Sequence, residues 1–296
     1  MSSSASPTIV EAYRYCRNLT REQAKNFYFA FITLPPKQRS AIYASYAFCR
    51  LCDDITDGSD LSIEQQAHAL EGLRSDLGAA YEGHSSGPVF PAVMDSARTF
   101  DIPREYLDDI VRGVQVDLIK RRYQTFEELR EYCYGVASTV GLVCIQIFGY
   151  KDPAAREYAI DLGLAMQLTN ILRDLQEDAQ RDRVYLPQDE LTRFGYSDED
   201  LINGVTNDRF RDLMAFQAGR ARSLFLNGRK LLPLLPIRSR ACVSVLEGLY
   251  SRILDRIEAR NYDVFSERVG LSTPSKLALT LRLWTKSLLW DSILRR

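Results

Sequence analysis

The sequence predicts an all-α fold in a single domain. Three observations carry that expectation. Helix-start signatures recur along the chain, alternating strand patterns are almost missing, and no linker-like stretch divides the 296 residues. Residues 1–7 read as a short flexible N-terminus and residues 8–296 as the domain.

Thr8-x-x-Glu11, Thr20-x-x-Gln23, Ser62-x-x-Gln65 and Thr125-x-x-Glu128 read as capping boxes. In a capping box a hydroxyl and an acid or amide satisfy amide protons that a first helical turn leaves without partners. Asp101-Ile102-Pro103 and Asp152-Pro153 each place an acceptor just before a proline, whose fixed φ and missing N–H suit a helix start. After Pro36, Ala41 to Thr56 reads as one helix ending near Gly58. A second runs from Thr125 to about Phe148, and a third from Pro153 to about Asp182, stopping before Pro187. Asp208 to Leu232, Arg238 to Asn261 and Pro274 to Arg296 complete a set of about eight to ten helices. No internal period is visible, which excludes a solenoid.

Apolar residues make up 46% of the chain and charged residues 26%, ample for a large core. The net charge of −1 gives no basic excess for nucleic acid, so an anionic substrate must be held by local features. Six cysteines lie in apolar segments, and Cys49-x-x-Cys52 lacks the second pair that a zinc ribbon needs, so buried inert thiols are expected. With only His68 and His84, both in polar surroundings, a histidine triad or histidine metal site is not expected. The polar opening lacks the apolar stretch of a signal peptide, and no apolar run reaches the length that spans a bilayer. A cytoplasmic protein is expected, with peripheral contact at a membrane as the extension of that reading.

Two acid clusters stand out, Asp53-Asp54-Ile55-Thr56-Asp57 and Asp174-Leu175-Gln176-Glu177-Asp178. Each contains Asp-x-x-x-Asp, which puts two carboxylates on one helix face. Like charges so close repel unless a cation intervenes. The first cluster closes a helix, where the dipole disfavours acids, after the apolar stretch Ala41 to Cys49. A solvated helix end is the ordinary explanation for one such acid. It weakens for three acids on a buried helix. In the second, Gln167, Asn170, Asp174 and Asp178 form one stripe at offsets of three, four and four. Hard oxygen donors of this kind suit Mg²⁺, which keeps several waters and bridges to substrate phosphates. Two such clusters facing one cavity would hold several Mg²⁺ ions and, through them, diphosphates.

Arg50 lies one turn before Asp53, and Arg173 immediately precedes Asp174. Arginine's planar fork suits diphosphate oxygens, and either residue could equally pair with its neighbouring acids. Small residues at 135, 137, 138 and 141 admit a close helix neighbour or leave room for a long apolar ligand. The last segment, Lys276 to Arg296, has five basic residues and one acid, with Leu277, Leu281, Trp284 and Leu288 at helical spacing. Packing on the core is the preferred reading, and an interfacial helix that receives substrate from a membrane is the other.

These residues resemble the squalene/phytoene synthase family over nearly the whole chain. The specific segments are Tyr46-Ala-Phe-Cys-Arg-Leu-Cys-Asp-Asp54, Tyr132 to Gly141, and Gln167 to Ala179 followed by Arg183-Val-Tyr-Leu-Pro187. The resemblance implies an isoprenoid-synthase helical bundle with a central apolar cavity, and a Mg²⁺-dependent prenyltransferase that joins two prenyl diphosphates head to head. It implies that Asp53 and Asp57 bind Mg²⁺ at one substrate and Asp174 and Asp178 at the other, supported by Asn170 and Gln167. It further implies that Lys25, Arg50 and Arg173 hold diphosphate, that Phe27 and Phe31 line the chain tunnel, that Tyr46 matches a family tyrosine seven residues before Asp53, and that Tyr250 matches another near the departing diphosphate; Tyr46, Tyr250 or the released diphosphate is the proton acceptor. Some members carry serines near positions 24 and 26 and a tyrosine at 135; here Ala24, Asn26 and Gly135 stand there.

Ile145 to Pro153 and Ile257 to Phe265 look most like bacterial presqualene diphosphate and squalene synthases. Two C15 farnesyl diphosphates are therefore the expected substrates, with NADPH needed only if the reaction continues to squalene. The alternative is a phytoene synthase joining two C20 geranylgeranyl diphosphates. A non-catalytic relative that binds prenyl lipids as an assembly factor is the remote reading, disfavoured because both acid motifs are intact.

Overall fold

The computed structural model describes residues 7–24, 27–57 and 61–294. Among them the secondary structure is helical throughout, and the only β pairing is an isolated bridge between Arg122 and Val184. In chain order the helices are α1 (Ile9–Gln23), α2 (Tyr28–Phe31), α3 (Pro36–Asp57), α4 (Ile63–Tyr81), α5 (Phe90–Thr99) and α6 (Arg104–Ile119). There follow α7 (Phe126–Cys133), α8 (Thr139–Phe148), α9 (Ala155–Arg173), α10 (Leu175–Gln180), α11 (Gln188–Arg193) and α12 (Asp198–Ile202). The set closes with α13 (Asp208–Gly228), α14 (Ile237–Ala259) and α15 (Thr273–Leu294). The segment count exceeds the expected eight to ten because two long helices are interrupted and several short ones fill the connections.

The local signals act as capping chemistry requires in most places. Thr8 and Ser62 form complete capping boxes with Glu11 and Gln65. Thr125 caps α7, while Glu128 turns away to the Gln124 amide and to Lys120. Thr20 starts no helix. It lies inside α1, and its hydroxyl donates back to the Cys16 carbonyl, the alternative open to a threonine already within a turn. Asp101 caps nothing either: it adopts a left-handed φ of 50°, and Pro103 opens α6 without a side-chain acceptor. Asp152 does serve, accepting from the Ala154 amide at 2.8 Å.

Two departures from regular helix bear on the site. Between α7 and α8, residues Tyr134–Ser138 form a π turn, with Thr139 Oγ1 donating to the Tyr134 carbonyl at 2.9 Å. The expected helix to Asp182 breaks at Asp174, which has φ −104° and ψ 15° and separates α9 from α10. The chain stays hydrogen-bonded across the break, Asp174 N to Asn170 O and Asp178 N to Asp174 O, each at 2.9 Å.

One apolar core joins the helices. α9 lies at its centre, packed by α8, α13, α14 and the π turn. The continuous stretch Phe126–Phe148 is long and apolar enough to cross a bilayer, contrary to expectation. More than half of its most apolar window is buried among its neighbours, which marks it as a core helix. Close approach here depends on missing side chains. A Cβ on Gly163 would lie 2.7 Å from the Ser138 Cα, and one on Gly135 would lie 2.9 Å from the Gly113 Cα. The small residues around the π turn thus admit neighbouring helices, and no tyrosine fits at 135.

Candidate active site

α3, α8, α9 and α14 enclose a cavity of about 260 Å³, with α2 closing one side. α3 gives it Ile42, Tyr46, Cys49 and Asp53 in ascending order, and α9 gives Ala159, Gly163, Gln167 and Asn170 in the same sense. α14 adds Val243, Leu246 and Tyr250. Asp53, Asn170 and Tyr250 come last along α3, α9 and α14, so one end of the cavity carries the carboxylate, amide and phenol groups while the other is mainly apolar. At a rise of about 1.5 Å per residue, the ends lie roughly 16 Å apart along α3. Val136, Ala137, Val140 and Gly141 line the opposite wall. The small-residue segment therefore serves both packing and ligand space. Cys49 and Cys144 also reach the cavity, while all six cysteines are free and burial pushes the Cys144 thiol up to about 12.

At the polar end the first motif is partly internalised. Asp53 lines the cavity, and Asp54 turns outward to bind Arg50 at 2.5 Å. Arg50, expected to hold diphosphate, is thus engaged by the neighbouring acid before any ligand arrives. Tyr46 and Tyr250 flank Phe27, their ring centroids 6.4 and 6.0 Å from it, and Phe31 stacks on Phe27 at 6.0 Å. Burial pushes the Tyr46 hydroxyl up to about 12 and raises Tyr250 as well, so both are neutral near pH 7. Lys25 lies outside the described residues, as does the side chain of Asp57, whose backbone ends α3.

The second motif sits one turn beyond Asn170. Asn170 Nδ2 donates to Gln167 Oε1 at 3.3 Å, while the Asn170 Oδ1 is buried without a hydrogen-bond partner. Arg173 grips Asp174 with Nε on Oδ1 at 2.8 Å and Nη2 on Oδ2 at 2.5 Å. Arg268, from the loop after α14, reaches the same Asp174 at 2.9 Å and Glu177 at 3.2 Å. Burial opposes the charge on Asp174, but the two guanidinium groups outweigh it and hold its pKa below the usual carboxylate value. Asp178 goes the other way: burial, then the charge of Asp174, raises it to about 7.

Arg268 is invisible to local reading, because its contact with Asp174 spans 94 residues. So is the group behind Asp178. Asp117 accepts from the Tyr132 and Tyr185 hydroxyls, each at 2.9 Å, and Arg183 lies 4.0 Å away. Tyr123, Tyr132 and Tyr185 stack with centroids 5.2–5.8 Å apart. Tyr132 and Arg183 fall within the segments that carried the resemblance, which was the one available signal.

Among the described residues no three carboxylate, imidazole or thiol groups converge to hold a cation by themselves. That fits Mg²⁺ chemistry, in which one or two carboxylates suffice when phosphates and water complete the shell. The unpartnered Asn170 oxygen beside two acids is the kind of hard donor such an ion takes.

Residues 20–275 match the family model for squalene/phytoene synthase. The chain is 40% identical over 300 residues to the 15-cis-phytoene synthase of Synechocystis sp., covering 97% of this chain and 89% of the relative. It is 42% identical over 278 residues to the chloroplastic phytoene synthase 2 of Solanum lycopersicum, covering 92% and 89%. A dehydrosqualene synthase solved with a ligand superposes with a TM-score of 0.87 at 30% identity, covering 96% of this chain and 98% of that one. The squalene synthase HpnC from Alicyclobacillus acidocaldarius gives 0.82 at 29%, covering 87% and 97%. The chain belongs to the squalene/phytoene synthase family, and it is a prenyltransferase with the helical isoprenoid-synthase fold. The remote non-catalytic reading is thereby set aside. The expected condensation of two farnesyl diphosphates to presqualene diphosphate is overturned as well, because several relatives at 38–40% identity over nearly the whole chain are named phytoene synthase. That expectation rested on the two short segments Ile145 to Pro153 and Ile257 to Phe265, which carry less weight than an identity extending over nearly the whole chain.

Proposed function

We propose that the protein joins two geranylgeranyl diphosphates head to head to give phytoene. The observation that carries this reading is the identity to proteins named phytoene synthase, which extends over nearly the full length of the chain. The polar end of the cavity supports it chemically. Asp53 and Asp57 from α3, with Asn170, Asp174 and Asp178 from the α9–α10 junction, would hold Mg²⁺, and Gln167 orients the Asn170 amide. Bound Mg²⁺ supplies Lewis-acid polarisation of a leaving diphosphate.

Arg50, Arg173 and Arg268 are the cations placed to exchange a carboxylate partner for diphosphate oxygens. Phe27, Phe31 and the apolar walls keep water from an allylic cation, which water would trap as an alcohol. Tyr46 and Tyr250 keep their phenolic protons, so they orient charge as neutral dipoles, and the departing diphosphate takes the proton when a cyclopropane closes. Loss of two diphosphates and two protons balances the conversion to phytoene without a reductant, and NADPH has no part in it.

The test is incubation with C15 and C20 diphosphates, separately and mixed, with Mg²⁺ and with or without NADPH, followed by mass analysis. A C40 hydrocarbon from the C20 substrate, independent of NADPH, is the expected result. Turnover of C15 alone would overturn the reading.

A further inference from the structure

The end of the cavity farthest from the acids is a closed floor. Ile42 of α3, Phe148 of α8, Leu231 and Val243 of α14 line it, and all four are almost fully buried. α8 runs opposite to α9, since a Cβ on Gly163 would meet Ser138 and one on Gly141 would meet Ala159. Phe148 ends α8 and therefore lies at the far end from Asn170. Leu231 belongs to the 3₁₀ turn Arg229–Leu234, which is tied to the segment after α8 by the Lys151 amide donating to the Leu234 carbonyl at 3.2 Å.

Polar side chains collect just beneath this floor. A helix leaves its last carbonyls without intrahelical donors. Those of Ile147 and Phe148 are served by one side chain from another helix: Gln38 Nε2 donates to them at 3.1 and 3.2 Å. The buried Ser239 hydroxyl lies 3.3 Å from Gln38 Oε1 and 3.4 Å from the Phe148 carbonyl, close enough to donate to either. Gln38 stands four residues before Ile42, and Ser239 four before Val243, so each lies one turn below a floor residue on the same helix face. The clamp thus joins α3, α8 and α14 at the level of the floor.

We propose that Phe148, held by Gln38 and Ser239, sets the longest prenyl chain that the cavity accepts. The proposal rests on the reading of this cavity as a prenyl diphosphate site. With its diphosphate anchored at the acids, roughly 16 Å away along α3, a chain meets the floor with its terminal isoprene unit. One unit more must displace the Phe148 ring, and a close-packed interior resists added volume. A lone ring can rotate aside. Here the backbone that carries it is pinned through its carbonyls, which makes the wall stiff. Gln38 and Ser239 are positioning residues: they do not touch the chain, and they act through Phe148. Removing the Gln38 amide leaves buried acceptors unpaired and frees the end of α8 to move outward with its ring.

The experiment measures kcat/KM for self-condensation of C15, C20 and C25 prenyl diphosphates by the wild type and three variants. The C25-to-C20 ratio is expected to rise about a hundredfold in Phe148→Ala, about tenfold in Gln38→Leu and about threefold in Ser239→Ala, where the Gln38 amide remains. The half-saturating Mg²⁺ concentration should keep its wild-type value in the clamp variants, since the acids lie at the opposite end. A purely structural role would lower all three substrates together and leave the ratio alone. That result in Phe148→Ala, or in every clamp variant that folds by circular dichroism, would overturn the proposal. Ser239→Ala removes a single oxygen atom and keeps the test decisive if Gln38→Leu does not fold. If the wild type prefers C15, the C20 reading falls, and the same shift is read one unit shorter, as C20 over C15.

Discussion

The two acid motifs share a spacing and differ in almost everything around it. The first ends an unbroken helix, and its arginine is held by Asp54, an acid that faces away from the cavity. The second lies across a helix break, and its leading acid is gripped by two arginines, one adjacent in sequence and one from a distant loop. That grip has an asymmetric effect. Asp174 is held ionised while Asp178, buried beside that charge, holds a proton to about pH 7. The same four-residue repeat therefore yields one site whose cation is occupied in cis and one that keeps a titratable proton.

The largest effect that could break this comparison comes from the leading acids. Asp53→Asn and Asp174→Asn should each lower turnover by about 10³-fold or more, because on the proposed ligand set each removes a donor to Mg²⁺ and several kcal/mol of transition-state stabilisation. The Asp174 variant should also lose thermal stability, by about 3 kcal/mol, since two guanidinium groups are left without it. Calorimetry beside kinetics separates the two effects. Near-normal turnover in either variant would end the assignment of that motif.

A smaller effect belongs to the second motif alone. If Asp178 is a ligand as proposed, it must lose its proton to bind Mg²⁺, so the half-saturating Mg²⁺ concentration should rise about tenfold for each pH unit below about 7. Mg²⁺ titrations between pH 5.5 and 8 would show it. A flat profile would mean that Asp178 is not a ligand.

The smallest is Arg268→Ala, which should raise the substrate KM about tenfold with a lesser change in kcat, because Arg268 is more exposed than Arg173. Arg268→Lys should recover only part of this, as a compact ammonium on a flexible stem replaces the guanidinium whose Nε reaches both Asp174 and Glu177. An unchanged KM in Arg268→Ala would assign this arginine to structure alone.

What could be read in the chain beforehand follows the reach of helical geometry. Asp53, Gln167 and Asn170 fall on one cavity as their offsets require, because spacing along a helix fixes a face. Most caps were legible for the same local reason, and Thr20 misled only because a hydroxyl can also bond backward. The break at Asp174 was not legible, since nothing in the local spacing of Arg173, Asp174 and Asp178 interrupts a helix. Arg268 and Asp117 were hidden likewise, their partners lying 94 and up to 68 residues away. The C15 expectation failed for another reason: it rested on two short segments, Ile145 to Pro153 and Ile257 to Phe265, whereas the identity to phytoene synthases extends over nearly the whole chain.

The wide turn at Tyr134–Ser138 makes the chain intolerant of a particular kind of change. A π turn accommodates one residue more than an α-turn, so its slack is already taken up. Adding a further amino acid there would swing everything beyond it by about 100° about its axis. Val140, Gly141 and Cys144 would then rotate off the wall they now form. Excising one residue would instead let the turn close to regular helix and leave that wall facing as it does.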